Sequence, residues 1–221
     1  MTLRLDEGFF DRPVLQVAPD LLGAIVRVGG VAVRLTEVEA YAGEGDPGSH
    51  AFRGRTPRTA VMFGPPGGLY VYFTYGMHWC ANLVCGPKGV ASAVLLRAGE
   101  VVAGIEVARE RRGGAGSASA CAGLVPRRRP LADRDLARGP ARLTVALGLG
   151  KQHNGIRTTD PDSPVLVEAP ARPSTVPIRR GPRVGVGGAG GDPTAYPWRF
   201  WLDGEPTVST YRPGTARRRA P

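Results

Sequence analysis

Two carboxylates, Glu37 and Glu39, precede Tyr41 in the run TEVEAYAGEGDPGSHAFRGRTPR, Thr36 to Arg58, which also holds His50 and three arginines, Arg53, Arg55 and Arg58, within 23 residues. Carboxylates supply general bases and guanidinium groups bind phosphate, so the combination suits an active site that works on a polyanion. The run LYVYFTYGMHWCANLVC, Leu69 to Cys85, then sets Tyr70, Tyr72 and Tyr75 within six positions. Rings at this density can stack on nucleobases, and together the two runs suggest a pocket that handles a base.

Glu39 is the better candidate for a catalytic carboxylate, because it lies at a strand end beside Tyr41 and before the arginine-rich loop. Glu37 and Glu39 lie two apart, so on a strand they share a face with Tyr41. Against catalysis stands an ion pair from either glutamate to Arg34, Arg53 or Arg97, which local sequence alone favours. Taken singly, His50 reads as a hydrogen-bonded loop residue, and each tyrosine as packing on a sheet face. Tyr75 differs, because TyrGlyMet occupies a hairpin turn, where a large ring would project into solvent and can act as a wedge between base steps.

These residues need elements to hold them. Leu5 to Phe10 and Val14 to Leu22 read as short helices, GAIVRVGGVAVRLTEVEAY as a hairpin around Gly29 and Gly30, and Ala42 to Pro66 as a long ordered loop. Leu69 to Cys85 reads as a second hairpin, Ala91 to Arg97 as a buried strand, and Glu100 to Arg112 as a helix. Gly139 and Pro140 place a helix start near Arg138, whose free N–H groups make a phosphate site. Val165 to Glu168, Arg183 to Val186 and Arg199 to Asp203 read as further strands. The small-residue segment about 112–128 is expected to be a mobile loop, and 212–221 a disordered basic tail.

At 221 residues the chain is long enough for one core, and one domain spanning 1–221 is expected. The formal net charge of +10 favours a polyanionic partner, although codon bias accounts for the charge equally well, since only two of the 29 basic residues are lysines. No membrane-spanning run and no signal peptide are seen, so the cytoplasm is the expected compartment. Cys80, Cys85 and Cys121 lack zinc-ligand spacing and read as reduced core residues, and no metal or cofactor is expected.

TEVEAY, the GRTPR loop, MFGPPGGLYVYFTYGMHWCANLV and AVLLRAGE, in this order, resemble the alkyladenine, or 3-methylpurine, DNA glycosylase family. The resemblance is densest from about Leu35 to Gly104 and continues more weakly to WRFWL. It implies an α+β fold, a single-domain mixed architecture with a curved antiparallel β-sheet, flanking helices and a protruding β-hairpin. It also implies a monomer that flips alkylated or deaminated purines out of double-stranded DNA and hydrolyses the N-glycosidic bond, leaving an abasic site, with no lyase activity. Substrates of the 3-methyladenine type, with hypoxanthine and ethenoadenine, follow from the same likeness, and a bacterial member would sit with the nucleoid. Glu39 then corresponds to the base that activates water and Arg97 to its holder. Tyr41, His50, Tyr72, Asn82 and Leu95 correspond to the base pocket, Asn82 crowding the amino group of guanine. Tyr75 corresponds to the intercalating residue with Met77 beside it, and Arg55, Arg58, Arg138 and Arg142 are taken as phosphate contacts. The rival reading is a non-catalytic binder of distorted DNA. A lyase needs an amine nucleophile, and the two lysines, Lys88 and Lys151, lie outside the pocket motifs.

Overall fold

A computed structural model of the chain describes residues 3–74, 76–114, 131–170 and 175–214. The fold is α+β, organised on an antiparallel sheet. Its centre is the long strand β2 (Val31–Tyr41), paired along one side with the equally long β5 (Ala93–Ala103). Beyond β5 lie β4 (His78–Val84) and, at the edge, β3 (Leu69–Thr74). Along its other side β2 takes two partners in turn: β1 (Ile25–Val28) beside its first half, and β8 (Arg199–Leu202) beside Glu37 to Glu39. β6 (Val165–Glu168) pairs outside β1, and β7 (Ile178–Gly181) outside β8.

The residues of β2 change faces halfway along. Val31, Val33 and Leu35 enter the main core before the irregularity in its pairing with β5 around Glu37, and Val38 and Ala40 enter it afterwards. An extra residue in one strand inverts the alternation of everything beyond it. The bulge therefore lets one strand bury odd residues in its first half and display Glu37, Glu39 and Tyr41 on the opposite face in its second. That core is closed by α2 (Val14–Asp20) and α4 (Pro140–Leu147), which contribute Val14, Val17 and Ala18, and Leu143, Ala146 and Leu147. The short α1 (Glu7–Phe10), capped by the Asp6 carboxylate accepting from the Phe9 N–H at 2.9 Å, adds Phe10.

Four sequence expectations change. Residues Glu100 to Ala103 continue β5, and the helix α3 (Ile105–Gly114) starts only after Gly104, because β5 extends to match the whole of β2. Arg183 to Val186 is not a strand: the strand lies earlier, at β7, and this segment turns across the site. Residues 212–214 of the expected disordered tail are held, since the Arg212 carbonyl accepts from the Gly185 N–H at 2.8 Å. The first two predicted helices are each two residues shorter, the first starting at Glu7 and not Leu5 and the second stopping at Asp20 and not Leu22. Cys121, Tyr75, most of the 112–128 loop and the end of the tail lie outside the described residues. Among the described residues no helix is long and apolar enough to cross a membrane.

Candidate active site

Strand alternation divides the sheet into a dry face and a lined cavity. On β3, Leu69 and Val71 enter the core while Tyr70, Tyr72 and Thr74 line a cavity of about 320 Å³. On β4, Ala81 and Leu83 go to the core, and His78, Cys80 and Asn82 to the cavity; on β5, Val94 and Leu96 go one way and Leu95 and Arg97 the other. Glu39 and Tyr41 of β2 complete that face, with His50 and Met62 from the loop, Pro140 and Ala141 from the start of α4, and Val184 to Val186. The size is in the range of pockets that enclose a small molecule, about 300–1,000 Å³.

Glu39 is fully buried at this cavity. Its Oε2 accepts from the Tyr41 hydroxyl at 2.9 Å, its Oε1 accepts from the Val184 N–H at 2.7 Å, and Arg97 Nη1 stands 3.3 Å from Oε1. Burial first, and then the neighbouring Glu39 charge, raises the Tyr41 pKa well above the ordinary tyrosine value, so the phenol stays a donor. Burial opposes the charge on Arg97, but Glu39 and then Glu37 outweigh it and raise its pKa, so the guanidinium stays protonated.

The second carboxylate does different work. Glu37 Oε1 accepts from Arg97 Nε at 2.8 Å, Arg199 Nε at 2.7 Å and the Ser209 hydroxyl at 2.9 Å, while Oε2 accepts from the Ser209 N–H at 2.6 Å. The ion-pair reading thus holds for both glutamates, which share Arg97, whereas Arg34, another partner considered, is bound to Glu100 and Glu205. Arg199 and Ser209 were not anticipated. An arginine within the apolar run WRFWL is a legible sign of a buried carboxylate partner; Ser209 has no local sign.

The walls are aromatic. Tyr70 and Tyr72 stack at 5.5 Å, and His50 meets Tyr72 edge-on at 4.5 Å with its Nδ1 3.2 Å from the Tyr70 hydroxyl. His50 as a residue is exposed, but its ring packs against Tyr70 and Tyr72, which desolvates the imidazole. That burial, followed by the charge of Arg58, lowers its pKa to about 4, so the ring is neutral near pH 7. Burial likewise raises the pKa values of Tyr72 and of the free, buried Cys80 and Cys85 thiols. Asn82 is fixed by donating from Nδ2 to the carbonyl of its cross-strand neighbour Tyr70 at 3.0 Å.

Behind Tyr41, Arg183 is fully buried, 4.6 Å from the ring centroid, and forms a two-pronged ion pair with Asp46 at 2.6 and 2.7 Å. Its Nη2 also donates to the Gly190 carbonyl at 2.6 Å. A side chain on Gly190 would stand 2.3 Å from the backbone of Gly48, so glycine lets the 183–191 segment lie directly on the loop. Arg183 and Asp46 were missed as site supports because the sequence placed one in a strand and the other in an undifferentiated loop.

At the rim, Met77 is 67% exposed beside Gly76, whose φ of +66° turns the β3–β4 hairpin. Arg55 and Arg58 are exposed, Arg58 lying 5.5 Å from the Tyr72 ring centroid. Arg138 and Arg142 are more engaged: Arg138 Nε donates to the Val208 carbonyl at 2.9 Å, and both approach Asp135, at 3.6 and 4.0 Å. Among the described residues no group of three or more His, Cys, Asp or Glu side chains is placed to hold a metal ion, and no lysine lines the cavity.

Comparison with known proteins gives a consistent result. The family described as methylpurine-DNA glycosylase matches residues 8–206. A protein of Streptomyces avermitilis, provisionally named 3-methyladenine DNA glycosylase, is 53% identical over 97% of this chain and 95% of its own. Proteins with the same name from Leifsonia xyli and Burkholderia lata are 54% and 44% identical, covering 90% and 93% of this chain and 88% and 90% of theirs.

Proposed function

Because the chain belongs to the methylpurine-DNA glycosylase family, we propose that it excises alkylated or deaminated purines, of the 3-methyladenine type together with hypoxanthine and ethenoadenine, by flipping them from duplex DNA into the aromatic cavity. The observation that carries this reading is the Glu39 carboxylate, buried at the cavity and oriented by Tyr41, Val184 and Arg97. Glu39 takes a proton from water as the water oxygen bonds to the sugar carbon. The glycosidic bond breaks with its electron pair passing to the departing purine, which leaves neutral when it was cationic and takes up a proton from solvent when it was neutral. Glu39 returns its proton to solvent, and an abasic site remains. A buried anion also stabilises cationic character on the sugar, in a site already organised for it.

Extracting a base costs a few kcal/mol, least for a damaged or mispaired one, so lesion instability supplies part of the selectivity. Tyr41, Tyr72 and His50 form walls on which a purine can stack. Arg183 and Arg58 already lie against two of these rings, which reduces what a cationic purine gains there, typically about 0.5–2 kcal/mol for a cation on a ring. Tyr75 and Met77 at the hairpin turn are assigned the wedge, Asn82 the exclusion of guanine, and Arg55, Arg58, Arg138 and Arg142 the phosphates. Hydrolysis without strand cleavage is supported by a cavity with no lysine among its described lining. Such an enzyme acts as a monomer on DNA in the cytoplasm, beside the nucleoid in a bacterium. A passive binder of distorted DNA has no need of a carboxylate whose charge opposes phosphate binding.

The test is Glu39→Gln, assayed on duplexes carrying each of the three lesions. Lesion binding should persist while single-turnover base release falls at least about 100-fold, as for loss of a general base. Near-normal release would remove Glu39 from this role, and wild-type release confined to one lesion would narrow the substrate class to it.

A further inference from the structure

The segment Thr207–Gly214 follows β8 and crosses back over the polar face of β2. We propose that it is a strap that aims the catalytic pair, and that Ser209 is a positioning residue acting on Glu39 through Arg97. The inference rests on the assignment of Glu39 as the general base.

Ser209 uses every polar group it has. Its N–H and hydroxyl both donate to Glu37, at 2.6 and 2.9 Å, its Oγ accepts from Arg97 Nη2 at 3.2 Å, and its carbonyl accepts from Arg199 Nη2 at 2.8 Å. A guanidinium is planar and rigid, so fixing two of its nitrogens fixes the direction of the third. Glu37 holds Arg97 Nε and Ser209 holds Nη2, which leaves Nη1 aimed at Glu39 Oε1, 3.3 Å away. Neither Glu37 nor Ser209 appears in the cavity lining, so both act on it only through other residues.

The strap is tied down on each side of Ser209. Thr207 Oγ1 lies 2.8 Å from Thr36 Oγ1 in the interior, and the Val208 carbonyl accepts from Arg138 Nε. Further on, the Arg212 carbonyl accepts from Gly185, the neighbour of Val184, whose own N–H binds Glu39 Oε1. The strap therefore reaches the catalytic carboxylate by two routes, one through Arg97 and one through the Val184 turn. A segment that merely clasped the sheet edge would need neither the hydroxyl of Ser209 nor its contact with Arg97.

The experiment measures single-turnover release and lesion-duplex affinity for Ser209→Ala in the full chain, in the wild-type background and again with Glu39→Gln. With enzyme in saturating excess over the lesion duplex, a misfolded fraction lowers only the concentration of active enzyme and leaves the rate constant unchanged, so the rate constant, checked at two enzyme concentrations, is the quantity compared. In the wild-type background it should fall roughly tenfold with affinity changed less than about twofold; with Glu39→Gln the same substitution should cost less than about twofold, because groups that act as a unit are non-additive. Ser209→Thr, which keeps the hydroxyl, should recover most of the rate. A wild-type rate constant in Ser209→Ala beside a disabled Glu39→Gln overturns the strap alone, as does an equal loss in both backgrounds. Normal release by Glu39→Gln itself overturns the general base and the strap with it.

Discussion

Glu39 and Arg97 at the floor of the cavity, and Glu37 and Arg199 behind them, are almost wholly buried and each charge has a partner, whereas at the rim Arg55, Arg58 and Met77 stand exposed. The floor is built from neighbouring strands whose register brings Glu39 opposite Leu95 on one side and Arg199 on the other. The rim comes from a loop and a hairpin turn. Buried charges survive only where every one is compensated, so the floor holds a single geometry before any ligand arrives. Exposed arginines are hydrated and cost little to leave unpaired, which keeps them available to phosphate. The proposed chemistry and the proposed phosphate contacts thus fall in regions with opposite solvation.

The sharpest way to break this contrast is at the floor. Arg97→Ala leaves Glu39 without its cation in the interior, and removing one partner of a buried pair costs about 3–5 kcal/mol. Thermal melting and single-turnover release should both fall steeply, release by at least about 100-fold. A stable protein with near-normal release would show that the floor tolerates an unpaired carboxylate and that the contrast is wrong. At the rim the expected effect is smaller and of another kind. Arg58→Ala should leave melting nearly unchanged and reduce the slope of log K against log salt for lesion DNA by about 0.9, the loss of one phosphate contact. An unchanged slope would move the DNA surface away from Arg58.

The smallest effect lies between the two regions, at His50. Its pKa in the folded state, about 4, is below the unfolded value of 6.5. The folded protein therefore binds fewer protons than the unfolded chain in that interval. The stability associated with neutral His50 is fully present above 6.5 and is lost as pH falls from there towards 4. A resonance of the His50 ring followed by NMR should show its midpoint near 4, moving upward but staying below 6.5 in Arg58→Ala, because burial is the larger cause. A midpoint at the ordinary histidine value would place His50 on the solvated rim.

Much of the wall was legible from the sequence. The alternation in LYVYFT has the period of a strand, and the family likeness put Tyr72 and Asn82 in the pocket that they line; Cys80, read as a core residue, is buried but lines the same cavity. The boundary between β5 and α3 was not legible, because Glu100 to Ala103 suits either element. Its length as a strand is decided by β2, which it pairs along its whole course. The bulge near Glu37 was also invisible, since the insertion is defined only against the partner strand.

By itself the sequence determined which side chains could face a base, which carboxylate stands beside a tyrosine, and the family likeness that joins them. All of these rest on local period or on motifs in order. Only the tertiary structure decided which donors each carboxylate meets, because Glu37 meets Ser209 and Arg199 across more than 160 residues of chain and Glu39 meets the Val184 N–H across 145. Those partners are chosen by strand register and by the path of two loops. A carboxylate's role is set by the donors that surround it, and no local pattern in this chain records where distant donors will arrive.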